Sequence, residues 1–465
     1  MENENFSLFS NKAIAKIILP LVFQNILAIT IGLIDSIMVS SRGESAYAGV
    51  SLVGSLDTLL ITLFTALATG GSVVLAQAMG KGDRDLACNA AKQLIYVTTA
   101  TAAVISAIVL IFRTPILYIL FGQAEQSVMG NAIAYFTIIA ISFPFLAMES
   151  SVASIFRAQG DSMISLKISL FMNVINIVGN AILIYGANLG AAGAALATLI
   201  SRIIGAVLML VIVHNKKRYI YIEKLFHYKP DKIIIKAILN IGVPNGIENS
   251  LFQFGRLMTS SLVSSLGTVA IAANAAALSL ANFQYNAGGA IQSTMVAVVG
   301  RCIGANKPDQ AKKYTKKLLG IGYVIIISVI VLLCVFSSPL LRLFNLSAES
   351  TSTARNLLFY HSAVSVFIWV IGFCLPNAFR AANDIKFTMF VSVISMWLFR
   401  VAFAYFLAKE SISIFGLFSF NGVGMGVMGV WIAMTADWVV RSAFFLWRFI
   451  SGKWLSKSIK FDKIE

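Results

Sequence analysis

Charge is scarce in this chain. Only 12% of its 465 residues are Asp, Glu, Lys or Arg, against about 25% in a soluble domain. Hydrophobic residues make up 58%, and mean hydropathy is +0.84. Histidine is almost missing, with His214, His227 and His361 the only three. The four cysteines (Cys88, Cys302, Cys334, Cys374) have no CxxC or Cys/His spacing, so neither a zinc site nor a disulfide framework is suggested, and they read as small apolar fillers. No GxSxG, HExxH or P-loop GxxxxGK[ST] occurs, so nothing marks a nucleophilic hydrolase, a metallopeptidase or a nucleotide-driven pump. An intramembrane enzyme would need a nucleophile–base or metal pair at mid-depth, and none is visible. No organic cofactor is expected. The first residues, MENENFSLFSNK, carry two glutamates before any lysine and no small-residue cleavage site, which does not resemble a cleaved signal peptide.

What is present is a series of apolar runs of membrane-crossing length, which takes roughly 20 residues per helix. Twelve are expected, at 13–40, 47–76, 89–112, 128–150, 163–186, 190–213, 235–262, 270–300, 317–340, 354–376, 386–408 and 425–448. The net charge of +16 is spread over alternate loops rather than over one soluble domain, so nucleic acid is not an expected partner. One set of loops holds Lys81, Arg84, Arg157, Lys167, Lys216, Lys217, Arg218, Lys224, Arg301, Lys307, Arg380 and Lys386, and both chain ends, with Lys12, Lys457, Lys460 and Lys463, belong with it. The other set is nearly bare. Positive residues stay cytoplasmic, so both termini are expected inside a bacterial-type plasma (inner) membrane, among membrane lipids, after an even number of crossings.

The chain also repeats itself. At an offset of 224 residues Pro20 meets Pro244, Gly43 meets Gly267, Gly80 meets Gly304, Ala87 meets Ala311 and Pro115 meets Pro339. FRAQGD from Phe156 returns as FRAAND from Phe379, and GAAGAA from Gly190 is answered by GVMGVW from Gly426 after a longer loop. An internal repeat is the first organisation to look for. The expected fold is therefore an all-α polytopic membrane protein of 12 transmembrane helices in two six-helix repeats. Six is even, so the halves run in the same sense and are related by a pseudo-two-fold axis along the membrane normal. The expected divisions are an N-terminal lobe at 1–213, a cytoplasmic connector at 214–234, a C-terminal lobe at 235–450 and a basic tail at 451–465.

An ionised group at the centre of a membrane helix costs about 2.5–3.5 kcal/mol on insertion scales, so the polar residues inside the spans are the functional candidates. Asp35, in span 1, has no counterpart in the second half, where Thr259 stands in the same register. Asn173, Asn176 and Asn180 follow in span 5 at i, i+3 and i+7, the spacing of one helical face. Together with Asp35 they would make an oxygen-rich pocket suited to H⁺ or Na⁺, with Asp35, Asn176 and Asn180 as the Na⁺ ligands. The same amides could instead knit helices together. Glu248 and Arg256 lie two turns apart in span 7, either neutralising one another through an intermediate group or leaving Glu248 as a second titratable site. Span 8 is rich in amides, with Asn274, Asn282, Gln284, Asn286 and Gln292 around Phe283 and Tyr285, which fits either an aromatic-cation cavity or helix packing. Asp57, Glu149 and Arg400 are further buried-charge candidates, and Asp437 with Arg441 at i and i+4 reads as an internal ion pair.

The order of these segments resembles a known family. ILP…IDSIMVSSRG, AQAMGKGDRDLA, FRAQGDS before an Asn-rich span, GAAGAALAT, IGVPNGIE, VGRCIGANKPDQA and GVMGVWIAMTADWVVR look like the multidrug and toxic compound extrusion (MATE) transporters over essentially the whole chain. That family lies within the multidrug/oligosaccharidyl-lipid/polysaccharide flippase superfamily. The resemblance implies two lobes in a V, and export of organic cations and amphipathic drugs by antiport with H⁺ or Na⁺ through alternating access; apart from it, a monomer is expected. It places the family's span-1 aspartate on Asp35 and its span-5 asparagine on Asn176. Where DinF-like members have a second span-5 aspartate, this chain has Asn180. The span-7 glutamate of NorM-like members falls one turn after Glu248, at Phe252, and span 10 has no acid to match their aspartate. The resemblance therefore favours a first-lobe site led by Asp35. A flippase for lipid-linked oligosaccharides, of the same superfamily, is the alternative, kept open by Arg256 and Arg400.

Overall fold

The computed structural model describes residues 8–122, 124–223, 227, 229–414, 418–456 and 459. Lys224, Lys457, Lys460 and Lys463, counted above with the basic loops and chain ends, lie outside the described residues. The first half contains α1 (Asn11–Ser40), α2 (Glu44–Lys81), α3 (Arg84–Phe121), α4 (Gln126–Gln159), α5 (Ser162–Asn180) and α6 (Gly190–Val213). After the connector come α7 (Lys232–Ser264), α8 (Thr268–Gly304), α9 (Pro308–Val335), the short α10 (Ser337–Arg342), α11 (Ala348–Phe373) and α12 (Leu375–Ala381). The chain ends with α13 (Ile385–Ser395), α14 (Phe403–Ala408), an antiparallel hairpin of β1 (Ser411–Ile414) and β2 (Phe418–Asn421), and α15 (Gly426–Ile450). Every expected span falls on a helix or on a run of helices broken by a local turn. The hairpin, with Ser411 paired to Asn421, occupies the longer loop of the second half.

Ten of the described helical stretches are long and apolar enough to cross a membrane by length and composition. The two expected spans outside that ten are α7 and α8, whose hydropathy is lowered by Lys236, Glu248 and Arg256 in one and by the amide series in the other. In α3 the split between faces is plain. Ala87, Ala91, Leu94, Thr98, Ala102, Ser106 and Val109 recur at three- or four-residue steps and are buried, while Val104, Ile108, Ile111 and Ile119 stand exposed on the other side. A row of bare isoleucines is costly in water and suited to lipid.

The duplication is written in the backbone as well as in the sequence. Gly43 and Gly267 both have positive φ, at 106° and 94°, before α2 and α8. Gly82 (78°) is matched by Asn306 (53°), and Gly160 (82°) by Asn383 (67°). Glycine and asparagine are the residues that tolerate the left-handed turn that ends a helix. The same closing bond recurs there: Asp161 N–H donates to Phe156 O at 2.9 Å, and Asp384 N–H to Phe379 O at 2.8 Å. Even the wide π turns repeat, at Ala181–Gly186 after α5 and at Met396–Ala402 after α13.

Two compact units result, Met1–Gly246 with Gly304–Asn306 and Ile459–Glu465, and Ile247–Ile303 with Lys307–Ser458, so the division falls inside α7. In the first unit α4 is the hub, packed along α2, α3 and α6, and α5 lies between α1 and α6. Its core gathers Phe64, Phe136, Phe143 and Leu117. Buried hydroxyls tie the helices across: Thr98 to Ser151 at 2.6 Å, and Ser106 Oγ donating to the Ala140 carbonyl at 2.6 Å. In the second unit α15 is the corresponding hub, against α11, α13 and α14, with Trp431, Trp438 and Phe445 buried along it.

Candidate functional site

The first site is built where α1 meets α5. Asp35 projects from α1, and Asn180 Nδ2 donates to its Oδ1 at 2.7 Å. Asn176 sits one turn earlier on α5. With its amide turned to satisfy both neighbours, its nitrogen donates to the Asp35 oxygens at 2.9 and 3.2 Å and its oxygen accepts from the Thr198 hydroxyl at 3.2 Å. Asn176 and Asn180 are buried, and Asn180 Oδ1 is left without a partner. An orphaned amide oxygen beside a carboxylate suits a positive ligand, because carboxylate, amide and hydroxyl oxygens are the donors to hard cations. Among the described residues no cluster of three or more His, Cys, Asp or Glu occurs.

Asn173 is not brought into this pocket. The buried stripe of α5 runs Ser165, Ile168, Met172, Asn176, Asn180. Asn173 is one residue past that stripe, about 100° round the helix, where it is half-buried and makes no hydrogen bond among the described residues. The i, i+3, i+7 spacing allowed two faces, and packing chose the one through residues 176 and 180. At the far end of α1, Arg42 Nη1 donates to Asn188 Oδ1 at 2.6 Å and lies over the Tyr185 ring, which pins α1 to the turn after α5.

Asp57 belongs to a neighbouring network. Arg202 Nη2 reaches its Oδ2 at 3.2 Å, and Arg202 Nη1 donates to Ser142 Oγ at 2.7 Å, joining α2, α4 and α6. Tyr135, on α4, stands within electrostatic reach of both Asp35 and Asp57. Arg202, Thr198 and Tyr135 were missed in the sequence. Arg202 alone had a readable signal, as the single charge of an otherwise uncharged apolar span.

In the second unit Glu248 does not turn toward Arg256. It pairs with Arg380, Nη2 to Oε1 at 2.7 Å, and Asn377 Oδ1 holds Arg380 Nη1 at 3.0 Å. Arg380 therefore leaves the basic loop where sequence placed it and folds inward at the end of α12. Arg256 makes no ion pair among the described residues. Asp437 and Arg441 form the i, i+4 pair at 3.0 Å, with Ser395 Oγ donating to Asp437 Oδ1 at 2.6 Å. Gln284 is fully buried with both amide atoms unpaired, and the Asn282 side chain makes no hydrogen bond among the described residues. Tyr285, Trp369, Phe373 and Trp438, with Phe252, Arg256 and Arg400, line a cavity of about 200 Å³.

The MatE family profile matches residues 20–182 and again residues 244–406, one match per half and in the register of the repeat. The chain belongs to the MatE family of transporters. Over 466 aligned residues it is 26% identical to the uncharacterized transporter YisQ of Bacillus subtilis, covering 98% of this chain and 96% of that one. It is 23% identical to a probable multidrug resistance protein NorM of Thermotoga maritima, covering 96% and 94%. Among solved structures, a MATE transporter in a bent conformation superposes with a TM-score of 0.85 at 20% identity, covering 96% of both chains. An outward-facing multidrug resistance MATE family transporter of the MOP superfamily gives 0.84 at 21% identity, covering 96% and 97%. The MatE family is one of multidrug efflux transporters and not of enzymes, so this is a multi-pass membrane transporter in two six-span repeats.

Proposed function

We propose that this MatE protein is a secondary active exporter that expels amphipathic organic compounds, organic cations included, in exchange for H⁺ or Na⁺ through alternating access. It would do so as a monomer in a plasma membrane, with both termini cytoplasmic. The observation that carries this reading is the Asp35 carboxylate, held inside a membrane helix by Asn180 and Asn176 beside an unpaired amide oxygen. Asp35 and Asn180 Oδ1 would receive the ion, with Asn176 and Thr198 completing the oxygen shell for Na⁺. Neutralising Asp35 from the outer side, by a proton or by Na⁺, weakens the hydrogen bonds that bind α1 to α5. A compound that prefers the tied arrangement is then released. Such antagonism needs about 1–3 kcal/mol of coupling between the two ligands.

The test is efflux of ethidium from proteoliposomes under a separately imposed pH or Na⁺ gradient. Efflux that follows one gradient and is lost in Asp35→Asn supports the reading and names the ion. Normal gradient-driven efflux by Asp35→Asn would overturn it. A second reading, movement of a lipid-linked oligosaccharide, draws on Arg256 and Arg400, which would suit a pyrophosphate. Absence of efflux under either gradient from well-folded protein would favour it.

A further inference from the structure

The cavity in the second unit is lined by a buried cation that forms no ion pair among the described residues. Arg400 is 8% exposed and lines the cavity, yet it makes no hydrogen bond or ion pair among the described residues. Its guanidinium carbon lies 5.2 Å from the centroid of the Phe252 ring. A guanidinium offers five N–H donors and keeps its charge at any ordinary pH. Leaving it buried and unpaired is costly unless something else fills its fork.

Two carboxylates of the same unit are already paired. Asp437 is held by Arg441 and Ser395, and Glu248 by Arg380. Asp437 lies within electrostatic reach of Arg400 but is bonded to Arg441, while Arg256 lies close enough to repel Arg400 and forms no ion pair among the described residues. His361 is bonded to the Tyr285 hydroxyl at 2.9 Å. No acid stands among the lining residues.

The walls describe the rest of the ligand. Tyr285 and Trp369 are nearly parallel, at 10° and 6.0 Å between centroids, and Phe373 continues the stack on Trp369 at 22° and 5.2 Å. Trp438 meets Tyr285 and Phe373 edge-on. Drug-sized pockets run from about 300 to 1,000 Å³, so a cavity of about 200 Å³ takes one or two rings. Arg400 also sits inside the π turn Met396–Ala402, the counterpart of the turn that follows Asn180 in the first half. Such turns are frequent at functional sites.

We propose that this cavity binds a planar aromatic anion, a one- or two-ring carboxylate whose charge meets Arg400 and Arg256 and whose ring lies against Trp369, Tyr285 and Phe373. As a statement of substrate class it rests on the efflux reading. Binding itself is measured without any gradient, so the two stand or fall apart.

The experiment is calorimetric titration of the purified chain in an uncharged detergent with three probes of one shape: 2-naphthoate, neutral 2-naphthamide and the cation 2-naphthylmethylammonium. The anion is expected to bind about tenfold or more tightly than the amide, the usual worth of a hydrogen bond to a charged group, and the cation not to bind saturably. Arg400→Gln should remove the preference for the anion while retaining the amide's affinity. Equal affinities for the three probes would overturn the proposal on the wild-type protein alone, whether or not the variant folds. Unchanged naphthoate binding by folded Arg400→Gln would also overturn it.

Discussion

Asp161 and Asp384 occupy the same place in the two halves, and each holds an arginine. Arg218 reaches Asp161 at 3.2 Å and Arg448 reaches Asp384 at 2.7 Å. The arginines come from unrelated places, the central connector and the end of α15, so only the acid half of the pairing, in FRAQGD and FRAAND, is repeated in the sequence. The two pairs differ in exposure. Side chains of the first are 25% and 33% exposed, and those of the second 13% and 6%.

That difference sets unequal costs. A solvated pair contributes about 0–1 kcal/mol, whereas stranding one partner of a buried pair costs about 3–5 kcal/mol. Asp384→Asn is therefore expected to lower the thermal unfolding midpoint clearly, and Asp161→Asn to change it little. Both are read from detergent-solubilised protein, and equal shifts would show that the exposure difference carries no energetic weight.

Arg202 is the clamp of the first unit, since one guanidinium serves Asp57 on α2 and Ser142 on α4. Removing it leaves Asp57 charged and unpaired among packed helices. Arg202→Ala should cost about 3–5 kcal/mol, and Asp57→Asn in the same chain should restore part of that loss. A double-mutant cycle on unfolding midpoints checks this. Strict additivity of the two substitutions would mean that the pair contributes nothing.

At the proposed ion site the donors can be separated from their neighbour on the same helix. Asn180→Ala removes the 2.7 Å hydrogen bond to Asp35 and is expected to reduce gradient-driven ethidium efflux about tenfold or more. Asn173→Ala, off the buried stripe, should retain efflux within about twofold. Equal losses in the two, at matched expression, would return the site to the whole amide row.

The architecture was legible because duplication leaves many independent marks. The Pro20/Pro244 and Gly43/Gly267 matches announced two equivalent halves, and the positive φ values at the paired turns answer them. Asp35 and Asn180 were legible for a different reason, the expense of polar groups in lipid. What could not be read was rotation about a helix axis. Sequence spacing placed Asn173 with Asn176 and Asn180, and only the packing of Met172 and Asn176 shows which side of α5 is buried. Pairings between distant helices were equally hidden. Glu248 finds Arg380 across 132 residues, and nothing in the span-7 sequence distinguishes that partner from Arg256.

Close helix contact supplies the last prediction. Gly70 on α2 lies against α7, where an added Cβ would sit 2.6 Å from the Ile238 carbonyl oxygen and 2.8 Å from the Gly242 nitrogen. Both neighbours are backbone, so neither can rotate away. Helices in a membrane gain no hydrophobic drive from each other and rely on such close, small-residue packing. Gly70→Ala is expected to push α2 and α7 apart, lowering the unfolding midpoint and the yield of folded protein. Gly54→Ala, on the same helix with nothing within 4 Å of its Cβ, gives up glycine's backbone freedom without a clash and should be neutral or slightly stabilising. If the two alanines behaved alike, the approach of α2 to α7 would not depend on the missing side chain.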